Sequence, residues 1–247
     1  MDFFINAFNT IIYQPLFNAL ILLYQYLPGQ DFGVAVIVLT VMLRVMLYPL
    51  MVKSIKAQKS LSEIQPKIKE IQEKYKKDKE KQAREMMALY QREKINPFGG
   101  CVPLLLQIPI LIGLFQVFKI GFSQEQLIYH LYNFVPFPGQ INTFFLGIID
   151  LSLPSVFLAL LAGITQFFQT KMLMPKKKKE ESKKEKTFSF SETMQKQMLY
   201  FIPVFTVFIL LGLPSAIGLY WTITSLFAIG QQYLVLGKEK PELEKTV

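Results

Sequence analysis

The sequence predicts an all-α polytopic membrane protein, with five transmembrane helices, an extracytoplasmic N-terminus and a cytoplasmic C-terminus. Three observations predict it. The 247 residues are 51% hydrophobic and the mean hydropathy is +0.31, too apolar for an ordinary soluble domain. Five runs approach or exceed the ~20 apolar residues that cross a bilayer. The basic residues of a chain with net charge +9 fall almost entirely between alternate runs. Helices are the open-chain way to satisfy every backbone polar group in lipid.

The first element, residues 1–32, is predicted as an extracytoplasmic interfacial helix. Pro15 interrupts its apolar run and leaves about 12 residues after it, too few to cross. Gln14, Asn18 and Gln25 fall within about 40° of one another on a helical wheel. One polar stripe on an apolar helix suits a helix lying in the membrane plane. The first 43 residues hold no Lys or Arg, so no basic leader region is expected. The single cysteine, Cys101, is too far along for a lipoprotein signal and permits no internal disulfide.

The predicted spans are 33–52, 98–118, 153–173, 198–213 and 215–236. Residues 53–97, after the first, carry thirteen Lys/Arg. The loop 174–197 carries eight and the tail 237–247 three. The extracytoplasmic loop 119–152 holds only Lys119. By the positive-inside rule the three basic segments are cytoplasmic, which also explains the basic excess without a specific nucleic-acid partner. Within 53–97, Ile64, Ile68, Ile71 and Tyr75 form one apolar stripe and Ala83, Met86, Met87 and Tyr90 a second. Two short helices with a stripe each predict a cytoplasmic helical hairpin, with Asp78 as N-cap of the second.

Arg44 lies near mid-depth of the first span, nine residues before Lys53. A central arginine costs at least ~3 kcal/mol on insertion scales, and no Asp or Glu lies in any span to pair with it. Snorkelling to the cytoplasmic surface would need a reach of about 13 Å along the helix. The spans do offer neutral polar stripes: Thr40 a turn from Arg44; Gln107 in the second; Thr165, Gln166 and Gln169 in the third; Tyr220, Trp221, Thr224 and Ser225 in the fifth. Turned inward, they would surround a wet cavity holding one fixed positive charge, suited to polar or anionic groups. No catalytic constellation, metal-ligand spacing or nucleotide loop is present, so neither an enzyme nor a cofactor is expected. Gly99–Gly100 is read as a close-packing or hinge point. Three function classes follow: a receiver of polar peptide, a small-solute or anion transporter, and a membrane scaffold using its hairpin. Five spans divide poorly into the inverted repeats of transporters.

The stretches "LTVMLRVMLYPL" (39–50), "QPKIKEIQEKY" (65–75), "NPFGGCVPLLLQIPILIGLF" (96–115), "FIPVFTVFILLGLPSAIGLYW" (201–221) and the Gln231–Gln232 pair cover almost the whole chain. On these the chain resembles the YidC-type membrane protein insertases, in their short bacterial form without a large periplasmic domain. The resemblance implies five core helices around a hydrophilic groove open to the cytoplasm and to lipid. It implies insertion and folding of membrane proteins in the bacterial cell membrane, alone or with the Sec translocon. Nascent membrane proteins and membrane lipids are the implied partners, with the signal recognition particle receptor and the ribosome as further ones. Arg44 matches the groove arginine and Thr40 a groove position. Cys101, Val102, Pro103, Leu104, Leu105, Leu106 and Gln107 match the span that contacts the nascent chain, and Tyr220 and Trp221 the aromatic pair of the last span. The chain departs from the Gram-positive form in lacking a lipoprotein signal, and its short tail argues against strong tail-mediated ribosome binding.

Overall fold

The computed structural model describes residues 2–120, 130–174 and 197–238. Most of the basic loop, the end of the tail and residues 121–129 of the loop predicted to be extracytoplasmic lie outside the described residues.

Helix α1 (Asp2–Phe8) runs through a π turn (Asn9–Tyr13) into α2 (Gln14–Tyr26). Pro15 does not break this run as expected. The wider π turn just before it accommodates the missing N–H and the ring. Residues Phe3–Tyr26 thus form one helix with the length and hydropathy to cross a membrane. The polar stripe, expected to meet headgroups, binds protein backbone instead. Asn18 is buried; its amide donates to His130 O (3.0 Å) and accepts from Tyr132 N (2.8 Å). Gln25 donates to Pro136 O at 2.6 Å. Residues 130–136 are therefore laid along α2.

Asp31 caps α3 (Phe32–Met46) through Oδ1, which accepts from Val34 N at 2.9 Å. The expected first span is two helices. Pro49 stands in the first turn of α4 (Tyr48–Glu63), and α4 leaves α3 at 68°. Gln231 Nε2 donates to Tyr48 O beside this bend (3.2 Å). Further along α4, Ser54 and Gln58 donate to Gly99 O (2.9 Å) and Gly100 O (3.0 Å). A Cβ on Gly99 would stand 2.8 Å from that of Ala57, so this glycine is required by close approach.

Helices α5 (Gln65–Lys74) and α6 (Lys79–Arg92) pack through a small core of Ile64, Ile68 and Leu89, flanked by Ile71, Met86 and Tyr90. Asp78 caps α6, accepting from Lys81 N at 3.0 Å. Ala83 and Met87 of the second stripe remain exposed.

The apolar helices α7 (Val102–Ile120), α8 (Val156–Leu173), α9 (Ile202–Leu210) and α10 (Ser215–Lys238) complete the described residues. A π turn (Gln197–Phe201) precedes α9 and its Pro203, the device seen again at Pro15. Helix α10 packs against α3, α4 and α8, and α9 against α8, where Gly163 sits on Val207. The main core joins α2, α3, α7, α8 and α10 through residues such as Phe17, Phe32, Val36, Leu114 and Ile217.

One feature departs from an all-α reading. Strands β1 (Phe144–Phe145) and β2 (Ile149–Asp150) form a small antiparallel hairpin in the segment before α8. It is tied to the bundle at two helix starts. Leu146 N donates to Asp31 Oδ2 (2.6 Å), while Ser215 N and Ala216 N donate to Leu153 O (2.9 Å) and Leu151 O (3.0 Å). Asp150 accepts from Thr143 Oγ1 (2.7 Å), Ser152 Oγ (2.7 Å) and Ser152 N (2.9 Å). Desolvation pushes its carboxyl up, but these hydrogen bonds outweigh it and hold the carboxyl below its ordinary range. The folded value is the depressed one, so its stabilisation is complete above the unfolded pKa, ~3.9, and is lost as pH falls through the folded value. Asp150→Asn is expected to lower the melting temperature near neutrality and to converge with the natural protein below about pH 4, so that the acid side of its profile is flatter.

Candidate functional site

The last turn of α3 carries Arg44, which is only 9% exposed. Its Nη2 donates to Gln107 Oε1 on α7 at 3.3 Å. Gln107 Nε2 in turn donates to the Tyr220 hydroxyl on α10. Three helices, with sequence separations of 63 and 113 residues, thus bring one arginine, one amide and one phenol into a chain of hydrogen bonds. Among the described residues, no acidic side chain pairs with Arg44. A guanidinium has five N–H donors, and one long bond to a neutral amide leaves most of its hydrogen-bonding capacity available.

Other buried polar groups extend this region. On α10, the hydroxyl of Ser225 and Oε1 of Gln232 are buried without a hydrogen-bond partner, as is Oε1 of Gln166 on α8, and the Thr224 hydroxyl is buried beside that of Tyr220, one turn earlier. Buried polar atoms of this kind are ordinarily satisfied by water or a ligand.

The remaining predicted residues divide. Thr40 is buried one turn above Arg44, but its hydroxyl donates to Val36 O of its own helix (2.6 Å). Thr165 likewise bonds back to Leu161 O (2.9 Å) and Ala162 O (3.0 Å). Gln169 is half-buried further along α8. Val102, Pro103 and Leu106 are half-buried at the start of α7, and Leu105 is exposed. The side chains of Cys101 and Leu104 lie outside the described residues. Trp221, next to Tyr220, points elsewhere, because neighbours on a helix are turned by about 100°.

Trp221 lines an apolar cavity of about 230 Å³ between α7, α9 and α10, with Leu111, Ile112, Phe115, Thr206 and Ile209 among its walls. Exposed apolar residues flank it: Leu105, Ile108 and Ile112 on α7, and Phe205, Phe208 and Ile209 on α9. Of these residues only Leu105 and Trp221 stand out in the sequence; the others escape notice, since an apolar cavity wall reads like any other part of an apolar span. Among the described residues, no group of His, Cys, Asp and Glu is placed to hold a metal ion.

One bundle of apolar helices thus holds both a buried arginine bonded to a neutral amide and an apolar cavity. The profile of the 60Kd inner membrane protein family matches residues 22–242. The chain belongs to that family. Similar curated proteins include those named membrane protein insertase YidC from Syntrophus aciditrophicus, 33% identical over 223 residues, Lawsonia intracellularis, 34% over 233, and Geobacter sulfurreducens, 33% over 228. The alignments cover 90%, 93% and 92% of this chain but only 35%, 39% and 37% of the relatives. The chain therefore spans little more than a third of the length of the curated relatives it matches. As a member of the 60Kd inner membrane protein family it is a multi-pass protein of the bacterial cell membrane, and the matched residues 22–242 include Arg44, Gln107 and Tyr220.

Proposed function

We propose that the chain is a membrane protein insertase that also helps its clients fold, working alone or beside the Sec translocon. The observation that carries this reading is Arg44, buried without an acidic partner among the described residues and held by Gln107, which in turn bonds Tyr220. In this reading the five predicted spans, N-terminus out and C-terminus in, enclose a hydrophilic groove open to the cytoplasm. The unpartnered hydroxyl of Ser225 and the amide oxygen of Gln166 are hydrated there. A polar flank cannot cross ~30 Å of hydrocarbon unaided, and a wet groove reaching partway shortens the dry path. Arg44 attracts an acidic flank across a low-dielectric gap, where a charge acts far more strongly than in water.

The apolar segment follows a second path. The cavity between α7, α9 and α10 receives its side chains, and the exposed apolar faces of α7 and α9 lead outward to lipid. Each apolar Å² removed from water contributes about 25 cal/mol, which drives the exit. The start of α7, from Cys101 to Leu106, meets the incoming chain first. The clients are nascent membrane proteins. The cytoplasmic hairpin is the natural contact for the signal recognition particle receptor or the ribosome.

The test is reconstitution of the pure protein into liposomes with a small single-spanning client that has a short acidic translocated tail. Protection of the tail from protease, above that in empty liposomes, is the expected result. No protection by correctly folded protein would overturn autonomous insertion and leave only a partner-dependent or scaffolding role. Filling the cavity gives a separate check: Ile209→Trp is expected to slow insertion several-fold while leaving client crosslinking at the start of α7 intact.

A further inference from the structure

We infer that the β1–β2 hairpin is a lipid anchor, its tip seated in the outer leaflet of the membrane, which fixes the depth of Arg44. Three observations converge on it. The first is the turn itself. Leu146 (φ 52°) and Gly147 (φ 68°) are both left-handed, and Ile148 N closes the turn on Phe145 O at 3.0 Å. Two left-handed residues in succession are the pattern of a tight hairpin turn that favours Asn-Gly or Asp-Gly. A leucine in that conformation is strained, and its side chain returns nothing to the core: it is 63% exposed, and Ile148 beside it 78%. An apolar side chain held outward on a costly backbone has its partner outside the protein.

The second observation is charge. Residues 131–149 contain no charged side chain, and Asp150 is turned onto Thr143 and Ser152. Phe134, Phe137, Phe144 and Leu153 are exposed in the same loop. A soluble loop facing water or a polar partner would carry charge, whereas apolar and aromatic side chains concentrate at membrane interfaces. The third is position. The hairpin is bonded to the starts of α3 and α10, the level at which these helices leave the hydrocarbon. Beyond Leu153 the exposed apolar surface continues down α8 through Val156, Phe157 and Leu160. These place lipid, rather than a second protein, at the tip.

The consequence concerns the site and rests on the insertase reading. Asp31 binds the hairpin and caps α3, and Arg44 follows thirteen residues later, about 20 Å along the helix. A tip seated in the outer interface therefore holds Arg44 at a set depth in the inner half of the bilayer.

The test uses tryptophan fluorescence in nanodiscs, whose two faces are both open to solvent. Ile148→Trp and, as an independent variant, Leu146→Trp each add one indole to the native Trp221, whose signal is subtracted. The expected added emission is blue-shifted, quenched at least twofold more by lipids brominated near the headgroup end of the acyl chain than by iodide. Emission at long wavelength, quenched by iodide and indifferent to brominated lipid, would overturn the anchor and leave the tip facing water or a protein partner. Retained helical circular dichroism establishes that each variant is folded. This readout is independent of insertion, so a failed anchor and a failed insertase are told apart. If both hold, Ile148→Asp is expected to lower insertion of acidic-tailed clients several-fold without removing Arg44.

Discussion

Arg44→Ala is expected to lower insertion of acidic-tailed clients at least about tenfold, while the protein becomes no less stable. The two effects have one cause. Arg44 is nearly fully buried and bonded only to the neutral Gln107 among the described residues. Its charge is held against a desolvation cost of about 3 kcal/mol or more, with no ion pair to offset it. Alanine removes that cost, so melting temperature should hold or rise. The same substitution removes the one positive charge a client carboxylate can meet in the groove. Losing one member of a desolvated charge pair costs about 2–5 kcal/mol, and tenfold corresponds to about 1.4 kcal/mol. Arg44→Lys retains the charge and is expected to keep most of the activity, though it loses the planar fork that bonds an amide and a carboxylate together. Clients with uncharged flanks should respond weakly to either change. Equal insertion of acidic-tailed clients by all three proteins would remove Arg44 from the mechanism. A large loss of stability in Arg44→Ala would make its role structural.

Much of this arrangement is legible from single residues, and what is not has particular physical reasons. The helices follow from apolar runs and the hairpin from its stripes, because periodicity is local. Arg44, Gln107 and Tyr220 each stand out as polar residues in apolar surroundings. That they form one chain of hydrogen bonds is not readable, since it depends on the register of three helices. Thr40 and Thr165 look like groove residues, but a helical threonine can satisfy its hydroxyl on the preceding turn, and both do. Trp221 parts from Tyr220 for a purely angular reason. Prolines mislead in both directions: Pro15 suggests a break that a π turn absorbs, and Pro49 lies in a predicted single span that bends by 68°. The β hairpin escapes notice because Leu146 occupies a turn position where the familiar signal would be Asn or Gly.

Gly33→Ala is expected to destabilise the protein by about 3 kcal/mol, at the upper end of the usual cost of overpacking, and to do so through one contact. A Cβ on Gly33 would overlap the Phe145 ring and stand 2.7 Å from Phe145 Cβ. A ring can turn aside, but Cβ is fixed to the β1 backbone. That backbone is held by the pairing of Phe145 with Ile149 and by the bond from Leu146 N to Asp31. The hairpin must lift or α3 must shift, and either movement disturbs the cap on α3 and the height of Arg44. Neighbouring residues that act through one contact are non-additive, which supplies the check. In a Phe145→Gly background, which removes the Cβ as well as the ring, Gly33→Ala should cost a small fraction of its effect in the natural protein, measured by denaturant titration in detergent. An unchanged cost in that background would place the strain in the α3 backbone rather than at Phe145. Insertion should track the same cycle: impaired in Gly33→Ala, and no worse in the double variant than in Phe145→Gly alone, because the hairpin influences the groove only through the first turn of α3.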